Sequence, residues 1–139
     1  MVLRSALGGS PPPTPEAAMR TLVIGLGRIG RLVARRLLES HASLHWVGAV
    51  EICPDPKIHG YLINFDSTYG PMTPPLGITS TGFETSGGQT IPLFSDVKAA
   101  IAAVQPDLIL ECSGDPVVAN TLVDLTDTAA YKVVFSSQT

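Results

Sequence analysis

Thr21-Leu22-Val23-Ile24-Gly25-Leu26-Gly27-Arg28-Ile29-Gly30-Arg31-Leu32-Val33-Ala34-Arg35-Arg36-Leu37-Leu38 decides how the rest of the chain is read. An apolar run leads into three glycines at G-x-G-x-x-G spacing, and a run of helix-forming residues follows at once. Strand, glycine turn and helix in immediate succession are the context that turns this spacing into a dinucleotide fingerprint. Gly25 makes the tight turn, Gly27 lets a pyrophosphate approach the backbone, and Gly30 lets the helix pack closely on the strand. The start of the helix adds N–H groups that favour an anion. The alternative is a strand-to-helix turn of an α/β domain that holds no ligand.

The fingerprint also asks for an acid about 20 residues on, at the end of the next strand, to accept hydrogen bonds from the adenosine ribose. Glu51 falls 21 residues after Gly30 and closes the run Leu44-His45-Trp46-Val47-Gly48-Ala49-Val50. A carboxylate there favours NAD, because it repels the additional 2′-phosphate of NADP. A solvated glutamate at a strand end is the plainer alternative.

Composition narrows the classes. The chain has 139 residues, 45% of them hydrophobic and 15% charged, which describes one globular domain with a substantial core. With a formal charge of −3 and no basic cluster beyond Arg31, Arg35 and Arg36, nucleic acid is not an expected partner. Those three arginines read as the solvent face of one helix. Cys53 and Cys112 are the only cysteines, too few for a disulfide framework or a zinc site, and point to a reducing, cytoplasmic setting. His41, His45 and His59 share no ligand spacing, so no metal is expected. No apolar run approaches membrane-spanning length, so no membrane is expected as a partner either.

Residues 1–18 differ from the rest. Gly8-Gly9-Ser10-Pro11-Pro12-Pro13-Thr14-Pro15 suits neither helix nor ladder, so this stretch reads as a disordered leader, with Met19 as a possible natural start. Residues 19–139 then form the dinucleotide-binding domain.

Past Glu51, Pro54-Asp55-Pro56 breaks the chain, residues 57–65 suit a short helix, and Asp66-Ser67-Thr68-Tyr69-Gly70-Pro71 reads as a turn. Residues 78–83 and 89–94 read as two strands around Thr85-Ser86-Gly87-Gly88, a hairpin inserted among βα units. Ser95 is placed to cap a helix over 96–104, with Asp96 favourable at its positive end. A strand over 108–112 follows. Asp115 and Pro116 then launch a helix to about residue 125, and 131–135 forms a last strand.

Val23-Ile24-Gly25-Leu26-Gly27-Arg28-Ile29-Gly30-Arg31, Asn64-Phe65-Asp66-Ser67-Thr68-Tyr69-Gly70 and Glu111-Cys112-Ser113-Gly114, in this order, resemble the nucleotide-binding domain of the phosphorylating glyceraldehyde-3-phosphate dehydrogenase family. The first block is common to many dinucleotide-binding proteins. The second is more specific, since the family carries Asp-Ser-Thr-His-Gly there. The resemblance covers about residues 20–139 and implies an α/β fold of Rossmann type, a doubly wound, mostly parallel sheet with an inserted antiparallel hairpin.

By the same resemblance, Gly25, Gly27, Arg28, Ile29 and Gly30 wrap the cofactor pyrophosphate. Ser113 and Gly114 line the adenosine and ribose path, and Ser136 lies toward the nicotinamide. Two positions depart from the family pattern. Ile24 stands where asparagine is usual, and Glu51-Ile52 places the acid one residue early, which keeps NADP open beside NAD. The family's catalytic Ser-Cys-Thr-Thr-Asn motif has no counterpart in this sequence, and neither Cys53 nor Cys112 matches its nucleophile.

The resemblance thus implies the cofactor half of an oxidoreductase acting on an aldehyde sugar phosphate, without the catalytic domain and not catalytic alone. An erythrose-4-phosphate dehydrogenase-like cofactor domain and a stand-alone nucleotide-binding or regulatory module are the alternatives. An exposed apolar patch and self-association, or a homo-oligomer in the full-length form, are further expectations.

Overall fold

The computed structural model describes residues 18–40, 43–126 and 132–135. Most of the leader, His41, Tyr131 and Ser136 lie outside them, and so does what the sequence suggested for those residues.

The first apolar run forms β1 (Met19–Ile24), and α1 (Arg28–Ser40) leaves the glycine turn directly. β2 (Leu44–Val50) pairs parallel to β1. Asp55 then caps α2 (Pro56–Asn64), its carboxylate accepting from the Lys57 N–H at 3.0 Å, with Pro56 in the first turn where its missing N–H costs nothing. Two-residue strands β3 (Phe65–Asp66) and β4 (Gly70–Pro71) enclose the expected turn. Asp66 Oδ1 closes that turn by accepting from the N–H groups of Thr68 and Tyr69.

Residues 78–83 are not one strand. They divide into β5 (Gly77–Ile78) and β6 (Gly82–Glu84), paired antiparallel to each other. Thr79 Oγ1 accepts from the Gly82 N–H at 3.0 Å, and that local bond folds the chain back where threonine propensity alone suggests a strand. β6 pairs antiparallel with β7 (Thr90–Phe94) around the expected Thr85-Ser86-Gly87-Gly88 turn, and β7 joins β2 in parallel.

α3 (Val97–Val104) is capped by Asp96 rather than Ser95. Asp96 has extended backbone and its carboxylate accepts from the Ala99 N–H at 2.9 Å, so the helix begins one residue later. β8 (Leu108–Glu111) lies on the other side of β1, and α4 (Pro116–Thr126) starts from Asp115 as expected. β9 (Lys132–Phe135) pairs parallel with β8.

The main sheet runs in the order β5-β6-β7-β2-β1-β8-β9. Alternation along β1 assigns its side chains to two cores. Leu22 and Ile24 join Val97, Ala100 and Val104 of α3 and Leu122 of α4, whereas Val23 joins Ala34 of α1, Ile63 of α2, Trp46 and Phe83. Helices therefore cover both faces of a mostly parallel sheet, the doubly wound Rossmann-type arrangement.

Arg35 is not on a solvent face. It is 7% exposed, and its guanidinium donates to the carbonyls of Ile63 at 3.2 Å and Gly70 at 2.7 Å. That side of α1 is covered by the end of α2 and the β3–β4 hairpin, and the arginine satisfies one carbonyl from each. Arg31 and Arg36 are more accessible.

A candidate dinucleotide cleft

In the middle of the sheet, β2 and β8 flank β1 on opposite sides: the chain leaves β1 through α1 to β2 and returns to the other side of β1 only from β7 through α3. The C-terminal ends of strands at such a switch point part to leave a crevice, where ligands of open α/β sheets bind. Here the crevice holds about 270 Å³, lined by Gly25, Gly27, Arg28, Glu51, Ser113 and Asp115 over apolar Ile24, Val50, Val97 and Val118. That volume is near the low end of ligand pockets, roughly 300–1,000 Å³, and suits part of an extended ligand lying along an open cleft.

The three glycines of the turn have different surroundings. Gly25 has φ +91°, and a Cβ there would lie 2.7 Å from Ser113 Cα. A Cβ on Gly30 would lie only 1.7 Å from the Gly25 carbonyl oxygen, so α1 enters the loop at a distance that only glycine permits. A Cβ on Gly27 would meet nothing within 4 Å. Gly27 faces open space on the cleft side and its carbonyl accepts from Arg31, which makes it the cap of α1. The N–H groups of Arg28, Ile29 and Gly30, the first turn of the helix, have no intrahelical acceptors.

Glu51 stands at the end of β2, as the fingerprint asks, and is tied to the loop. Its Oε2 accepts from the Leu26 N–H at 2.5 Å and its Oε1 from the Ile52 N–H at 3.1 Å. Ile52, at the position where the family usually carries the acid, is 79% exposed and apolar. Ser113 and Asp115 bound the opposite wall, and Gly114 between them has φ +69°.

The structure brings Gly25, Gly27, Arg28, Glu51 and Ser113 to one cleft. Ile29, Gly30 and Gly114 are neighbours of lining residues and shape the walls without lining them, and Ser136 is outside the described residues. The sequence reading missed the apolar floor, because Val50, Val97 and Val118 come from three separate elements. It also missed Glu111, a carboxyl buried at 3% exposure beneath Ser113, for which an acid ending an apolar strand was the available signal.

Cys112 lines the cleft floor, and burial first, with Glu111 second, pushes its thiol up to about 11. A thiol so far from ionisation at neutral pH is a poor nucleophile. Among the described residues no group of three or more His, Cys, Asp or Glu side chains is arranged to hold a metal ion. No helix among them is long and apolar enough to cross a membrane.

These residues fit a dinucleotide: an open glycine, the N-terminal end of a helix with one arginine, and a carboxylate across the cleft. Comparison with known proteins agrees. The family described as glyceraldehyde 3-phosphate dehydrogenase, NAD binding domain, matches residues 19–118. Glyceraldehyde-3-phosphate dehydrogenase of Helicobacter pylori (strain J99 / ATCC 700824) is 32% identical over 122 residues, which cover 86% of this chain and 35% of that protein. The enzyme of the same name from Chlamydia pneumoniae is 38% identical over 52 residues, covering 37% of this chain and 15% of its own. The chain thus spans about a third of the length of the Helicobacter relative. With the family match extending from the start of β1 into α4, the chain belongs to the glyceraldehyde-3-phosphate dehydrogenase family and carries its NAD-binding domain.

Proposed function

We propose that residues 19–139 act as the cofactor-binding unit of an aldehyde sugar phosphate dehydrogenase, holding NAD in preference to NADP and not catalytic by themselves, with 1–18 as a leader. The observation that carries this reading is the open space at Gly27 beside the start of α1, with Glu51 at the same cleft. The pyrophosphate would lie over Gly27 and meet the N–H groups of the first helical turn, with Arg28 beside it. Gly25 and Gly30 hold the loop in shape beneath. Ser113 and Gly114 would border the adenosine and ribose path.

Glu51 would select the ribose. Each of its oxygens already accepts one backbone N–H, and a carboxylate has about four acceptor sites, so it can also receive the ribose hydroxyls. Held in place by those two bonds, its negative charge would repel a 2′-phosphate. Bound NAD supplies a hydride acceptor. The thiol that attacks the aldehyde has to come from elsewhere than Cys112, whose raised pKa disqualifies it.

Calorimetric titration with NAD and, separately, NADP tests the reading. Tighter binding of NAD supports it, tighter NADP binding overturns the role of Glu51, and binding of neither overturns the cofactor role of this chain. The reading extends to a cytoplasmic, self-associating protein. One side of α2 exposes Ile58 and Tyr61, with Phe65 next to Tyr61 at 4.9 Å between ring centroids. Sedimentation that gives a monomer at all concentrations would sink the self-association.

A further inference from the structure

Glu111 closes β8 between two strands, in register with Ile24 on one side and Phe135 on the other. An acid at 3% exposure in such a place needs hydrogen-bond partners. It finds them in one residue. Glu111 Oε1 accepts from the Ser113 N–H at 2.7 Å and from the Ser113 hydroxyl at 2.5 Å, which pulls the chain after β8 into a tight turn. Ser113 Oγ in turn accepts from the Asp115 N–H at 3.1 Å, and Asp115 caps α4.

The other side of this turn meets the glycine loop. Ser113 is the residue that a Cβ on Gly25 would strike, at 2.7 Å from both its Cα and its N. The Cys112 N–H donates to the Ile24 carbonyl at 2.7 Å, so the turn is also bonded to the end of β1. Gly25 therefore rests against a wall whose position is set by Glu111. Glu51 holds the same loop from the β2 side through Leu26.

We propose that Glu111 is a positioning residue for the dinucleotide: its buried carboxyl group, acting through Ser113, fixes the wall behind Gly25 and thereby the loop geometry that receives the pyrophosphate. The inference rests on the cofactor reading above. A carboxylate suits the task because it accepts both Ser113 donors and brings no N–H of its own into the sheet, whereas the amide of glutamine brings two.

The test is a set of NMR titrations of the unaltered chain, Glu111→Gln and Ser113→Ala with NAD, ADP-ribose and adenosine. Glu111→Gln is expected to weaken NAD and ADP-ribose roughly tenfold while adenosine, which has no phosphate, changes less than about twofold. Ser113→Ala keeps the backbone bond but itself borders the adenosine path, so all three ligands are expected to weaken, with the loss for NAD and ADP-ribose exceeding that for adenosine by roughly threefold, and this comparison survives if the first variant does not fold. The Ser113 amide proton is expected downfield in the unaltered chain because of its 2.7 Å bond to the carboxyl group, and should move upfield in Glu111→Gln. A loss shared equally by all three ligands, as general loosening of the fold would give, overturns the proposal. So does unchanged NAD affinity in a folded Glu111→Gln. If the unaltered chain binds no NAD, the cofactor reading itself falls, and this inference with it.

Discussion

The glycine loop at residues 25–30 and the Asp66–Gly70 block both carry the likeness to the family, yet they use their polar groups in opposite ways. In the block, Asp66 bonds the N–H groups of Thr68 and Tyr69, and buried Arg35 takes the Gly70 carbonyl. Nearby, Asn64 clamps both the N–H and the carbonyl of Leu76. The block and its neighbours are bonded internally. The glycine loop instead turns open backbone at Gly27, and the start of a helix, toward a cleft. A recognisable motif can therefore mark either architecture or ligand, and only the destination of its hydrogen bonds tells which.

The largest effect expected from breaking this contrast comes from Gly30→Ala, because its Cβ would fall 1.7 Å from a backbone oxygen that cannot move aside. We expect a loss of about 3 kcal/mol or more in urea unfolding. A stable Gly30→Ala would mean that α1 does not enter the loop this closely. Gly27→Val separates ligand from fold. Its Cβ meets nothing within 4 Å, so the expected cost is about 1 kcal/mol, from replacing a good helix cap. NAD affinity should nevertheless fall by roughly a hundredfold or more, because the valine fills the place of the pyrophosphate. Retained affinity would move the site away from the loop.

Arg35→Met gives the opposite result on the architectural side. Leaving the Ile63 and Gly70 carbonyls without their donor should cost about 2 kcal/mol by thermal or urea unfolding, while NAD affinity of the folded protein stays within about twofold. A large affinity loss there would erase the distinction between the two regions.

Glu51→Gln sharpens it further. The amide oxygen can still accept from Leu26, so the loop keeps its shape, but the charge is gone. We expect NAD to bind roughly fivefold more weakly and the preference over NADP to shrink, as read by paired calorimetric titrations.

The smallest effect lies away from both regions. Burial first, and Arg20 second, hold His45 below its ordinary value of 6.5. The folded chain thus favours the neutral ring, and between the folded-state value and 6.5 the unfolded chain binds more protons. Stability should be full above pH 6.5 and decline as pH falls from there through the folded-state value. His45→Gln should flatten that slope in denaturation midpoints measured across pH 5 to 8, a range of roughly the width over which histidine titrates. An identical slope in the variant would assign the dependence to other groups.

Much of this was legible in the sequence for a definite reason. Glycine spacing and apolar run length record backbone constraints, which are local, so β1, α1, β2 and the glycine turn between the first two could be read directly. The face of α1 that becomes buried could not, because Arg35 is covered by elements that arrive some 30 residues later. The Thr79-Ser80-Thr81 segment has strand propensity, but the Thr79 hydroxyl bonds forward to Gly82 and makes a turn. Asp96 displaced Ser95 as a cap because either residue can play that part and only backbone conformation decides between them. The cleft floor and Glu111 depend on strands brought together across the sheet.

The position of β1 between β2 and β8 has a consequence for the order of events during synthesis and folding. β1 and β2 meet after a single helical crossover, whereas the contact of Arg20 with Asp107 beside β8 closes over 87 positions. Closure over such a separation comes at a larger entropic cost than the earlier, more local pairing. One wall of the cleft is therefore missing until β8 has left the ribosome and docked. A dinucleotide thus meets both walls of the cleft, and stabilises the chain most, only once the sheet is finished.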